Sequence, residues 1–344
     1  MSVLSALTGD DEVAALLSDA AQIAATVRFE VALAEASAEA GLIAAAAADS
    51  IVAAAEGFEP DWSELATGMQ RDGVVVPTLV RHLRARIPEE HRSALHRGAT
   101  SQDAIDTALM LQLARVIDVL ERRLAAVQSR LEALRDAHGA LPLMAHTRMQ
   151  AALPTTWAEK FRSWSEPLVR YQTSLAASRR TLLVVQLGGP VGDRGSFAGK
   201  GDLVARLLSQ KLDLGLASPW HATRDPIAAF GALLALISGS LGKMGADIAL
   251  LAQSELAAVQ IAGGGGSSAM AHKNNPVAAE VLVSLARFNA GLSGTLNQAM
   301  VHENERSGAA WTLEWMVLPQ MVVTAGASLR LGLQSLEQLR FGTE

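Results

Sequence analysis

Residues 107–138 read TALMLQLARVIDVLERRLAAVQSRLEALRDAH. Leu109, Leu113, Val116, Leu120, Leu124, Val127, Leu131 and Leu134 recur at steps of three or four, with charges such as Arg122, Arg123 and Glu132 between them. That period puts the apolar residues on one stripe of an α-helix far longer than the usual length of about 11–12 residues. A stripe this long is buried only against neighbours of similar length. Gly139 stops the helix. Beyond it, Pro154 stands where a first-turn proline would open a second long helix through Trp157, Phe161, Trp164, Leu168 and Tyr171. Three more are expected over about 226–259, 276–302 and 311–339, the last kinked or broken by Pro319. The fold class is all-α: an elongated bundle of about five long helices. A small N-terminal helical domain is expected over 1–98 and the bundle over 99–344. No strand-rich segment or internal repeat is evident.

Composition agrees with that frame. Of 344 residues, 50% are hydrophobic but only 4% aromatic, and alanine fills the gap, which favours close-packed helices over a sheet sandwich. The formal net charge of −6, with scattered Lys and Arg, argues against nucleic-acid binding. The absence of cysteine excludes a disulfide framework, a thiolate nucleophile and a Cys-ligated metal. The acidic start MSVLSALTGDDEV lacks the basic and apolar regions of a secretory signal, and the charge-free run 226–242 is short for a membrane span. A cytoplasmic protein without membrane association is expected. Segments such as ALLALISGSLGKMGADIALLAQ are apolar nearly all round, which points to burial on several faces and so to a homo-oligomer.

Three polar, non-periodic segments interrupt this apolar pattern at helix ends: HRGATSQD (96–103), MAHTRMQAALPT (144–155) and GGGGSSAMAHKNNP (263–276). Backbone N–H groups and the helix dipole favour an anion at such helix starts, and a glycine run lets further N–H groups converge on an oxyanion. The GxxxxGK[ST] spacing of a nucleotide loop is absent, and no His–carboxylate set has metal-ligand spacing. What remains suits a small polycarboxylate. Each segment also has a plainer reading: Thr100 and Ser101 as N-caps, the glycine run as a linker.

GGSSAMAHKNNP resembles the GSSxMPxKxNP segment of the fumarase/aspartase superfamily, with Gly266, Ser267, Ser268, Met270, Lys273, Asn275 and Pro276 in place. GATSQDAIDTALMLQL (98–113) is similar to that superfamily's first conserved region and leans toward its cycloisomerase branch. SPWHATRD (218–225) and NERSGAAWTLEW (304–315) resemble the PWHxxRD and HERxxGxWxxEW stretches of that branch. The resemblance implies a tetramer whose sites gather segments from three subunits. It implies no cofactor and no metal. The reaction implied is intramolecular addition of a carboxylate to a conjugated diene through an enediolate, taking 3-carboxy-cis,cis-muconate to 4-carboxymuconolactone. A fumarate-releasing lyase of the adenylosuccinate or argininosuccinate type, or a scaffold that has lost its chemistry, are the alternatives.

By the same resemblance, Ser267 is the proton-transfer serine, with His96 and Lys273 as further catalytic groups. Thr100, Ser101, Gln102, His146, Arg148, Gln150, Arg224, Ser268, Met270, Asn275 and Arg306 bind substrate, and Glu280 supports the site. Arg148 stands where the lyases carry a proton-transferring histidine, which tells against lyase chemistry, and Glu280 would then pair with Arg148. Ala271 replaces a usual proline and Asn304 a histidine. The glycines are expected to let the loop close as a lid. Trp220 and His221 are expected to orient a neighbouring helix, and Trp311 and Trp315 to be core. A further small C-terminal domain of relatives is expected to be absent or vestigial.

Overall fold

Thr100 adopts extended backbone as the N-cap of a helix that runs 38 residues, Ser101–His138, and so begins ahead of the periodic stripe that opens at Leu109. The computed structural model describes residues 2–266, 269–270 and 273–341. Six helices precede this one: α1 (Ser5–Thr8), α2 (Asp11–Leu16), α3 (Asp19–Glu39), α4 (Ala45–Ala55), α5 (Trp62–Asp72) and α6 (Val76–Ala85). The long helix is α7, and α8 (Trp157–Leu182), α9 (Gly201–Leu212), α10 (Asp225–Leu251), α11 (Val277–Gln298) and α12 (Gly308–Gln338) follow. The bundle consists of α7, α8, α10, α11 and α12, in agreement with the all-α expectation.

Long-range hydrogen bonds fix the directions of these rods. Gln128 donates to Leu168 O and Arg179 reaches Asp118 and Glu121, so α8 runs antiparallel to α7. Arg123 meets Gly326 O and Arg130 meets Leu336 O, so α12 runs parallel to α7. Asn289 of α11 donates to Ser238 of α10, one buried amide joining the two helices at mid-length. A Cβ at Gly242 would fall 2.4 Å from Ala286 Cβ, which is why α10 and α11 approach so closely. The stripe foreseen on α7 is buried from Leu113 to Leu134, with Leu109 half-buried. One continuous apolar cluster runs from Val13 to Leu339. The two helices long and apolar enough to cross a membrane, α10 and α12, have 61% and 67% of their most apolar windows buried inside the protein, as core rods of the bundle do.

Three expectations are corrected. First, Pro154 does not open α8. It lies in a strand that forms an antiparallel hairpin, β1 (Pro142–Thr147) with β2 (Gln150–Thr156), and α8 starts at Trp157. A proline favours extended backbone before it, and a two-stranded ribbon is all edge, where its missing N–H costs little. Second, Pro319 does not break α12, which runs through it from Gly308 to Gln338, and α8 likewise holds Pro167, which periodicity alone passes over. Val317, Leu318, Met321 and Val322 flank Pro319 and are buried, so packing offsets the roughly 3 kcal/mol an internal proline costs. Third, α10 ends at Leu251 and α11 at Gln298, each short of its expected end. A second small ribbon, β3 (Gln260–Ile261) with β4 (Leu339–Arg340), ties the chain before the glycine loop to the end of α12.

Candidate active site

The segment entering α7 is held from all sides. Asp103 reaches back to the Thr100 N–H at 3.0 Å, so Thr100 does act as an N-cap. The same carboxylate accepts from Gly188 N at 2.8 Å, Gly189 N at 2.9 Å and the His221 ring at 2.8 Å. His221 is buried and orients this node, much as its motif implied. His96 adopts a left-handed backbone, φ 60°, and Gly98 follows at φ 80°. A Cβ at Gly98 would lie 2.8 Å from the Phe197 ring, so only glycine fits the turn. His96 Nδ1 lies 2.6 Å from Glu30 Oε1. Burial opposes charge on the His96 ring, but Glu30 and then Asp103 outweigh it and raise the ring's pKa above 6.5.

One helical turn further, Asp106 and Glu314 clamp Arg224. The guanidinium donates to Asp106 at 2.7 and 3.1 Å and to Glu314 at 2.9 and 2.5 Å, a doubly bidentate arrangement. Trp311 Nε1 adds a bond to Asp106 at 3.1 Å, and the Trp220 ring lies 4.7 Å from the guanidinium carbon. Burial works against charge on Arg224, yet the two carboxylates raise its pKa above the usual arginine value. With 2% exposure and its guanidinium bonded to both carboxylates, Arg224 is enclosed at the centre of an ion cluster rather than open to a ligand within this chain. Gln102 is likewise enclosed. It is fully buried, donating to His221 O at 3.0 Å and accepting from Arg306 Nε at 2.8 Å. Arg306 remains exposed, steadied by Gln102 and by Pro190 O at 3.3 Å. His302, half-buried nearby, has its pKa lowered by burial and then by Arg224.

The other two segments lie at the opposite end. The β1–β2 hairpin leaves the C-terminus of α7, and its two-residue tip is Arg148–Met149, at φ 49° and 64°. Both residues are left-handed, as a type I′ turn demands, and neither is the Gly or Asn such turns prefer. The left-handed backbone falls on an arginine that is exposed to solvent. His146 and Gln150 are exposed on the facing strands, with His146 Nδ1 3.1 Å from Met144 O. The glycine loop is closed at its base by Gly265 and Asn275, which exchange backbone bonds at 2.9 and 2.8 Å. A Cβ at Gly264 would fall 2.1 Å from Asn274 Oδ1, so this glycine is required by close packing rather than by motion. Met270 and Lys273 are exposed, and Asn275 Nδ2 lies 3.4 Å from Gly266 O. Ser267, Ser268 and Ala271 lie outside the described residues. Glu280 is exposed, and among the described residues it makes no ion pair with Arg148.

Thus His96, Thr100, Ser101, Gln102 and Arg306 gather at one end of the bundle, with His146, Arg148, Gln150, Met270, Lys273 and Asn275 at the other. The 38 residues of α7 separate Thr100 from the hairpin by about 57 Å at 1.5 Å per residue. No small molecule touches both ends of one chain. Sequence reading missed Glu30, Asp103, Asp106 and Glu314. Only the Asp103/Asp106 pair left a local signal, two carboxylates three apart after Thr-Ser in the first turns of a helix.

A bundle of five long rods, with polar loops at both ends and α7 opened by a Thr-Ser cap, defines a class. A family model described as "Lyase" matches residues 13–288, and the chain belongs to that family, within the fumarase/aspartase superfamily. It is 37% identical over 332 residues to a 3-carboxy-cis,cis-muconate cycloisomerase of Pseudomonas aeruginosa, covering 94% of this chain and 72% of the relative. The crystal structure of a 3-carboxy-cis,cis-muconate lactonizing enzyme from Pseudomonas putida superposes with a TM-score of 0.93 at 36% identity, covering 99% of this chain and 77% of that one. A nitrosuccinate lyase of Streptomyces davaonensis is 36% identical over 98% of this chain and 74% of its own.

Proposed function

We propose that this chain is a cycloisomerase that converts 3-carboxy-cis,cis-muconate to 4-carboxymuconolactone. The observation that carries the reading is the likeness to the Pseudomonas aeruginosa cycloisomerase across nearly the whole chain. The geometry supports it by supplying cations for three carboxylates on separate segments: Arg306 beside the start of α7, Arg148 at the hairpin tip and Lys273 in the glycine loop. One substrate carboxylate oxygen adds to the conjugated diene, and the electron pair moves onto the neighbouring carboxylate as an enediolate. The adjacent carbon then takes a proton from Ser267, which is reprotonated from solvent, so the trianionic substrate closes to a dianionic lactone with net uptake of one proton. Donors preorganised around the enediolate contribute the largest share, about 2.7–4 kcal/mol for each good one. Lys273, Asn275 and loop N–H groups are the donors in this proposal.

The site belongs to an assembly. Two ends 57 Å apart, about the length of α7, meet only when chains pack antiparallel, as in a tetramer with three subunits contributing to each site. The open faces of the bundle suit such packing. Leu236 is 54% exposed on α10 in line with Ala229, Ala232 and Gly239, and Phe288 is 49% exposed on α11 beside Gly291 and Gly294. A polycarboxylate substrate and a cytoplasmic setting complete the proposal, together with the division into residues 1–98 and 99–344.

Loss of the diene absorbance of carboxymuconate on incubation with the protein, beside a solution mass near four chains, is the expected result. A fully active monomer overturns the shared site. A second reading is elimination from a substituted succinate, favoured by the likeness to nitrosuccinate lyase. Release of fumarate from a succinyl adduct, without diene loss, replaces the first reading with the second.

A further inference from the structure

Glu30 lies in the middle of α3, 66 residues before His96, and is 1% exposed. A carboxylate taken this far from water needs partners for its oxygens. Oε1 has one, the Nδ1 of His96 at 2.6 Å; Oε2 is buried and has none. The contact is shorter than the usual neutral N–H···O bond and belongs with charge-assisted pairs. The ring is differently placed: its side chain keeps 16% exposure, and Nε2 has no protein partner among the described residues. The backbone that carries it is fixed as well. His96 sits at φ 60°, Arg84 holds Leu95 O at 3.4 Å on one side, and Ser196 Oγ holds Gly98 O at 2.5 Å on the other. A left-handed histidine braced in this way is strained, and such a backbone persists where the surroundings over-determine it.

We propose that Glu30 is a positioning residue for the reaction. It pins the Nδ1 edge of His96, makes the ring the counter-ion of a buried carboxylate, and leaves Nε2–H to meet an anionic carboxylate of the substrate at the start of α7. The inference rests on the cycloisomerase reading for its substrate, though the dyad itself does not. The charged groups around the ring come from three helices. Glu30 of α3 and Asp103 of α7 favour its cationic form, and Arg84 of α6 opposes it without prevailing. His221, which shares the Asp103 carboxylate, differs because it is buried and has no accessible edge. His96 couples an edge fixed by a buried carboxylate to an open one.

The test is a ring-labelled histidine titration by nuclear magnetic resonance on the full chain without substrate, with His96 assigned through His96→Asn. In the wild type, His96 is expected to titrate above 6.5, the ordinary histidine value. In Glu30→Gln its titration moves down. Carboxymuconate turnover by Glu30→Gln falls about 10–100-fold near neutral pH, as when a functional histidine loses its carboxylate partner. The deficit narrows toward acid, where the ring protonates unaided, so the alkaline limb of the variant's profile shifts to lower pH. A purely structural Glu30 would lower turnover equally at every pH. A wild-type His96 that titrates at or below 6.5, or a variant profile that keeps the wild-type alkaline limb, overturns the proposal. Should Glu30→Gln not fold, the wild-type titration alone decides the dyad. Absence of diene loss in the wild type counts against the cycloisomerase reading, and the titration still reads the dyad.

Discussion

At its first turn α7 is enclosed: the Asp103 carboxylate collects four donors, and Arg224 is gripped by Asp106 and Glu314 out of reach of water. At its last turn the same helix releases the chain into a two-stranded ribbon whose tip, Arg148 and Met149, is exposed. Both ends carry residues singled out for substrate binding, yet one is complete within the chain and the other is an arm extended away from it. The difference teaches where each kind of cation works. A guanidinium satisfied by two buried carboxylates builds architecture, whereas one raised on a left-handed turn and exposed is the one proposed above to meet an anion.

Replacing Arg224 with methionine should break the enclosed end most severely. Asp106 and Glu314 would be left as buried charges without a cation, costing about 3–5 kcal/mol, read as a lower urea midpoint. An unchanged midpoint would mean that the cluster is dispensable and the contrast false. Asp103→Ala should cost at least about 1–3 kcal/mol, because it orphans the buried Gly188 and Gly189 N–H groups and frees the His221 ring. The exposed end should respond in the opposite sense. Arg148→Ala is expected to leave stability within about 0.5 kcal/mol. Its kcat/KM on carboxymuconate should nevertheless fall roughly 10–100-fold, the value of a charged hydrogen bond to a carboxylate. Met149→Gly should raise stability by about 1 kcal/mol through relief of the left-handed turn. The smallest effect is the pH dependence of the Glu30–His96 pair. Because folding raises the His96 pKa, its contribution to stability is full below 6.5 and is lost as pH rises through the folded value. The stability gap between wild type and Glu30→Gln should therefore shrink on the alkaline side; a gap that widens there would contradict the pairing.

Much of the fold was legible because each long helix announces itself by local period. Leu113 to Leu134 of α7 and Trp157 to Leu168 of α8 are buried as their spacing requires. The hairpin was hidden by Pro154, which fits a helix start and an edge strand equally well until pairing with Met144 decides. Site residues were legible as positions in motifs but not in their roles. Arg224 reads as a substrate cation because its partners, Asp106 and Glu314, stand 118 and 90 residues away. Glu30 gave no signal for the same reason, since an acidic residue within an alanine-rich helix reads as a solvated face until the fold turns it inward. The glycine run invited a reading of mobility, whereas Gly264 is dictated by the close approach of Asn274.

The length of α7 has one more consequence. On the proposed shared site, the rod that keeps its two termini apart makes turnover per milligram rise with concentration and fall on dilution. Encounter, rather than folding, then sets the threshold at which the catalyst exists.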